Sequence, residues 1–199
     1  MNLEYDHSEK TQIILQNISK MLNDRKLIKN SNDFFNILKN IGENREIAIN
    51  YEQNSFAIKI IYNNITTIKD SNDIENFLDK YNKHRKILVI SSISKKAYKQ
   101  FEEYPLTEVF QEIELMVNIL EHDLQPKFRL LSKSEVDKYF SIFDNKKREM
   151  PRMLDSDPVA RYFNAKTGDI FEIIRPSVTS GEAICYRIVV QGNLNFLNY

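Results

Sequence analysis

Turn-making residues are scarce in this chain and unevenly spread, and this limits what it can fold into. Its 199 residues include four glycines and five prolines, and Pro151, Pro158, Gly168, Pro176 and Gly181 all fall within residues 151–181. Glycine opens the left-handed region and proline clamps φ, so this stretch must consist of short elements with stiff joins. The rest of the chain has room for longer helices and strands. Scattered glycines also leave no G-x-G-x-x-G or G-x-x-x-x-G-K-[ST] loop, which excludes a backbone cradle for nucleotide phosphates.

Before residue 126 the apolar pattern switches between two periods. Ser8 opens a helical pattern with Ile14, Ile18, Met21 and Leu22 on one face, and Ser31 can cap a shorter helix carrying Phe34, Leu38 and Ile41. "EIAINY" and "FAIKIIY" then alternate, placing Ile47, Ile49 and Tyr51 on one face and Phe56, Ile58, Ile60 and Tyr62 on another, with "EQNS" as the hairpin loop. A helix capped near Ser71 follows, carrying Ile74, Phe77, Leu78 and Tyr81. Next come the strand "KILVI", a helix from Ser94 to Tyr104 stopped by Pro105, and the strand "TEVFQEI". The order ααββαβαβ predicts a sheet with helices on its faces.

Pro126 lies near a boundary. "KFRLL" reads as a strand, and Ser132 with Glu135 forms a capping box, Leu131 and Val136 standing where a hydrophobic staple would. Val136, Tyr139, Phe140 and Phe143 make the inner face of that helix. Asp157 caps a second helix with Pro158 at its first position, and Asn164 or Gly168 supplies the positive φ that ends it. Two strands, "DIFEIIR" and "AICYRIVV", close a β-α-α-β-β unit.

Composition narrows the function. With 42% hydrophobic and 28% charged residues the chain suits a globular fold, and it carries no net charge. Neither half is basic enough for a free-standing nucleic-acid binder. No apolar run is long enough to span a bilayer, the N-terminus has no apolar signal core, and the single Cys185 fits a reducing compartment. Cys185 lies in an apolar strand and is expected to be buried and inert. His7, His84 and His122 share no ligand spacing, and "EHD" at 121–123 sends adjacent side chains to opposite sides of a strand, so no metal and no cofactor is expected.

Two features remain. The first domain's layout resembles that of restriction-type nucleases, which place a carboxylate two residues before a strand lysine to hold Mg²⁺. Lys59 is present, but Ala57 stands where the carboxylate belongs, so a metal-dependent nuclease is the weakest reading. Between Lys80 and Lys99 lie Lys80, Lys83, Arg85, Lys86, Lys95, Lys96 and Lys99 with no acid among them. On one edge these side chains form a phosphate-facing patch; otherwise they are a solvated face.

The C-terminal residues "MPRMLDSDPVARYFNAKTGDIFEIIRPSVTSGEAICYRIVV", 150–190, resemble the signature of the fifth common subunit of eukaryotic nuclear RNA polymerases, a family with a shorter archaeal counterpart. "MVNILEHDLQPKFRLL", 116–131, resembles that family's inter-domain junction, and "MLNDRKLI", 21–28, echoes its first helix. The sequence departs from the family at Phe128, where His is usual, and at Lys26 and Asn164, where Gly is usual. "QGNLNFLNY" runs past the usual end.

The resemblance implies an α/β plus α+β protein. Residues 1–120 would form an N-terminal α/β/α jaw domain of restriction-endonuclease-like layout, and residues 121–199 a small mixed-sheet assembly domain. It implies a non-catalytic subunit of DNA-directed RNA polymerase, partnered by the largest subunit and another small shared subunit and free of membranes. The jaw would meet downstream double-stranded DNA without reading its sequence, through Lys83, Arg85, Lys95, Lys96 and Lys99. Subunit-interface candidates are Arg152, Asp157, Arg161, Arg175 and Pro176, where arginine outnumbers lysine and its planar fork suits carboxylates. Localisation would follow the polymerase: the nucleus for a cellular enzyme, a cytoplasmic replication site or virion for a large DNA virus. A stand-alone polymerase-binding module is the alternative.

Overall fold

A computed structural model describes residues 5–42, 45–68, 72–142 and 147–192. They fall into two compact units, Met1–Val117 and Asn118–Tyr199. No helix among the described residues is long and apolar enough to cross a membrane.

The first unit holds α1 (His7–Asp24), α2 (Ser31–Leu38), β1 (Glu46–Tyr51), β2 (Asn54–Ile65), α3 (Asn72–Lys80), β3 (Arg85–Ile93), α4 (Lys95–Phe101), β4 (Thr107–Gln111) and α5 (Glu112–Met116). Its sheet runs β1-β2-β3-β4, with β1 antiparallel to β2 and both remaining pairs parallel. Parallel neighbours require crossovers, which α3 and α4 supply. α2 covers the face of Phe56, where Phe34 meets Phe56 and Tyr51 edge-on at 5.4 and 5.2 Å. α3 covers the opposite face, where Phe77 lies beneath Lys59. With both faces covered, β3 is buried continuously from Lys86 to Ile90 instead of alternating.

The apolar face of α1 is as expected, with Ile14, Ile18, Met21 and Leu22 all buried. The helix starts earlier than Ser8, because Asp6 and Glu9 form a reciprocal capping box. Likewise Asn30, not Ser31, caps α2, its side-chain oxygen accepting from the Asn32 and Asp33 amides. The expected cap at Ser71 lies outside the described residues. The "EQNS" loop shrinks to Glu52-Gln53, since Tyr51 pairs directly with Asn54 and Glu52 takes φ 54°. The strand through "TEVFQEI" stops at Gln111, because the Gln111 amide donates to Glu114 Oε2 at 2.7 Å and starts α5.

The second unit contains β5 (Lys127–Leu130), α6 (Lys133–Ile142), β6 (Arg152–Leu154), α7 (Pro158–Tyr162), β7 (Ile170–Ser177) and β8 (Gly181–Val190). Its sheet order is β5-β7-β8-β6, antiparallel except for the β6–β8 pair. The sequence does not announce the three-residue β6, which is too short to show a period. One face of the sheet packs Met153, Phe171, Ile173 and Val189 against Val159 and Ala160 of α7. The other packs Ile170 and Ile188 against Val136, Tyr139 and Phe140 of α6, which are half-buried rather than fully covered; Phe143 lies outside the described residues. Asp157 caps α7 as expected, accepting from the Val159 amide at 2.9 Å.

Two family departures have a backbone explanation. Helices α1 and α7 both end in paired hydrogen bonds that close a left-handed turn: Lys26 N to Asn23 O with Leu27 N to Leu22 O, and Asn164 N to Arg161 O with Ala165 N to Ala160 O. The turning residues, Lys26 (φ 58°) and Asn164 (φ 50°), stand where the resembled family usually has glycine. Asn tolerates that conformation well and Lys less so. Phe128 takes an apolar role, edge-on to Phe171 at 6.0 Å.

Candidate nucleic-acid and subunit interfaces

The basic segment does not form one edge. Lys83 is exposed in the turn before β3 and Arg85 is half-buried at that strand's start, whereas Lys95, Lys96 and Lys99 are exposed on α4 beyond its far end. A nine-residue strand is about 27 Å long, so the two groups stand at opposite ends of the sheet. Two of the run's side chains are occupied. Lys80 bonds Glu46 at 3.0 Å. Lys86 is internal, only 1% exposed, and its ammonium donates to Pro105 O at 3.0 Å and Tyr81 O at 3.4 Å. Burial pushes its pKa down. Its place inside the apolar run "KILVI" is the sequence signal that this cation faces inward.

On α4 the three lysines share the solvent side while Ala97 and Phe101 face inward. Ser94 caps the helix, accepting from the Ala97 amide at 3.1 Å. No carboxylate among the described residues forms an ion pair with any of these three ammoniums. This arrangement presents three ammoniums to solvent, a chemistry that suits phosphate contact.

Lys59 is a second enclosed cation of the first unit, 2% exposed, with Nζ 3.0 Å from Glu46 Oε2 and 2.7 Å from Asp73 Oδ1. Glu46 sits directly opposite it on β1. Burial pushes the Glu46 carboxyl up, but hydrogen bonds from Lys80 and Lys59 outweigh this and hold it below its ordinary 4.5. The position two residues earlier, Ala57, is fully buried and offers no ligand. Among the described residues no three metal-ligating side chains converge.

The C-terminal candidates divide between the sheet's faces. Arg152 pairs in register with Ile188 and so belongs to the face of α6. Arg175 shares its face with Ile173 and Phe171, the side packed by α7, which carries a half-buried Arg161. Arg152, Arg175 and Pro176 are exposed, whereas the Asp157 carboxylate is engaged in capping α7. Cys185 is half-buried against the core rather than sealed within it. One further network has no counterpart in the sequence pattern. Arg129 on β5 bonds both Glu135 on α6 and Glu172 on β7, and Tyr186 on β8 donates to Glu172 at 3.2 Å. Bonds from the Ser132 amide and hydroxyl, with Arg129, bring Glu135 down to about 2.

Residues 117–189 match the model of the RNA polymerase Rpb5 C-terminal domain. The relation extends well beyond that segment. DNA-directed RNA polymerase subunit 5 of Acanthamoeba polyphaga mimivirus is 36% identical over 193 residues, 92% of this chain and 94% of the viral protein. The chain belongs to the RNA polymerase subunit 5 family. A subunit of RNA polymerases I, II and III from Dictyostelium discoideum is 41% identical over 103 residues, about half of each protein (51% and 52%). Subunit Rpo5 of Thermofilum pendens is 45% identical over 75 residues, which is 38% of this chain but 94% of the archaeal protein. Across the family, then, an archaeal relative of about one unit's length and a viral relative of two units' length both align.

Proposed function

We propose that this chain is a non-catalytic subunit of a multisubunit DNA-directed RNA polymerase. The observation that carries this reading is the end-to-end relation to a protein named polymerase subunit 5, which spans both structural units. The unit Asn118–Tyr199 docks on the largest subunit and on a second small shared subunit, and the unit Met1–Val117 contributes to the jaw near downstream DNA. A rigid docking surface limits the ordering penalty of association. Asp157, Pro158 and the left-handed Asn164 fix α7 in that way. Site of action follows the enzyme: the nucleus for a cellular polymerase, a cytoplasmic replication site or virion for a viral one. The nuclease reading loses ground at Lys59, whose ammonium is neutralised by Glu46 and Asp73 and lacks a neighbouring carboxylate at position 57. Constant stoichiometry with the large polymerase subunits separates an integral subunit from a stand-alone binding module.

For DNA, α4 is the favoured contact, because its three lysines lie on one short helix and are all exposed. Each phosphate neutralised contributes about 0.9 to the slope of log affinity against log salt. Replacing Lys95, Lys96 and Lys99 together by alanine is therefore expected to flatten that slope by about 2 to 3 in the assembled enzyme, with incorporation unchanged. Elongation complexes challenged with rising salt supply the measurement. An unaltered salt dependence would remove α4 from the DNA contact.

A further inference from the structure

Strand β8 is longer than what covers it. It runs ten residues from Gly181 to Val190, yet its outer neighbour β6 pairs only with Ile188, Val189 and Val190. That leaves Gly181–Arg187, about 20 Å of strand, as an open edge. The direction of the backbone groups is fixed by the bonds at its covered end. The Ile188 amide points outward to Pro151 O at 2.9 Å, and the Val189 amide points the other way, to Asp169 O at 2.8 Å. By alternation along an antiparallel strand, Ile184 and Tyr186 direct both N–H and C=O outward. Neither has a backbone partner there among the described residues.

Exposed edges of this length are ordinarily guarded by proline, lysine or a bulge, because a bare row of amides recruits other strands. Residues 181–187 contain neither proline nor lysine, their charged side chains stand only towards the two ends at Glu182 and Arg187, and their register with β7 is unbroken. Side chains along the edge differ by face. On one, Ile184 is 59% exposed beside its cross-strand neighbour Ile174 and near the exposed Pro176. On the other, Arg187 and Arg175 are exposed, and neither has a carboxylate partner among the described residues.

We propose that the outer edge of β8 at Gly181–Arg187 receives an extended segment of a partner polymerase subunit as an added strand, in line with β6. The incoming segment carries an apolar side chain opposite Ile184 and an acidic one opposite Arg187. Main-chain bonds to Ile184 and Tyr186 supply the affinity, and this face-by-face alternation supplies the register. The inference rests on the polymerase-subunit reading and names the kind of contact it makes.

Hydrogen–deuterium exchange on the full chain, free and within purified polymerase, tests it. The amides of Ile184 and Tyr186 should exchange quickly in the free protein and at least about tenfold more slowly in the enzyme. Equal rates in both, with the protein demonstrably incorporated, overturn the added strand while leaving the subunit assignment intact; failure to find the protein in polymerase sinks both. Protection that grows with concentration of the free chain would mean a second copy occupies the edge, and would also overturn the proposal. Ile184→Pro removes an N–H that has no backbone partner among the described residues, so the variant should fold normally and enter the enzyme about tenfold less well or worse. Arg187→Glu, which leaves every backbone bond in place, should reduce incorporation as well. Undiminished incorporation of both folded variants contradicts the proposal.

Discussion

Phe171→Ala is expected to lower the stability of the C-terminal unit by about 3–5 kcal/mol. The ring is completely buried and stands at the centre of the α7-side core, edge-on to Phe163 at 5.6 Å and to Phe128 at 6.0 Å. Around it lie Met153, Val159, Ala160, Ile173 and Val189, drawn from β6, α7, β7 and β8, so no single element can move in to close the cavity. Small units bury a limited fraction of their surface, and net stabilities of about 5–15 kcal/mol leave little reserve. Denaturant unfolding of the full chain, followed by amide protection in residues 170–190, should show this unit opening at a much lower midpoint. Phe171→Leu, which keeps most of the volume, should lose no more than about 1.5 kcal/mol. An unshifted midpoint for the alanine variant would mean that the ring is not a core anchor.

In the first unit the largest electrostatic effect is expected at Lys59. Lys59→Ala should destabilise that unit by about 3 kcal/mol, partly from its lost stem and partly from the carboxylate it leaves behind. The Asp73 side chain is 75% exposed and adds little, whereas Glu46 is 18% exposed and would keep Lys80, itself 61% exposed, as its cation, with a hydrogen bond from Tyr81. Lys59→Met preserves the packed stem over Phe77 and should cost about half as much. The pH dependence has a definite sign. Glu46 is held below 4.5 in the folded protein, so its contribution is complete above that pH and is lost as pH falls through the folded value. Removing Lys59 shrinks the shift, and the variant's deficit relative to wild type should narrow in acid. A deficit that stays constant from neutral pH down through the Glu46 titration would assign the effect to packing alone.

Much of the fold is legible because helix faces and strands impose different periods on the same apolar residues. The stripe of Ile14, Ile18, Met21 and Leu22 and the Asp157–Pro158 start of α7 can both be read directly. Caps are harder, since Asp6 and Asn30 compete with Ser8 and Ser31 and only the backbone angles decide. β6 escapes notice because three residues carry no period. The basic run illustrates the limit for sites. Charge composition shows that the cations are close in sequence, but the length of β3 sets Lys83 and Arg85 apart from Lys95, Lys96 and Lys99, and burial withdraws Lys86. The open edge of β8 is invisible at the sequence level for a related reason, because it depends on how short its spatial neighbour is.

The central claim is that the chain is an integral polymerase subunit, and quantitative mass spectrometry of the tagged protein, gently purified from its native cells, tests it most directly. An integral subunit is recovered in equimolar amount with two large catalytic polymerase subunits at every purification step, and that is the expected result. Recovery alone, or with polymerase well below one equivalent, would contradict it.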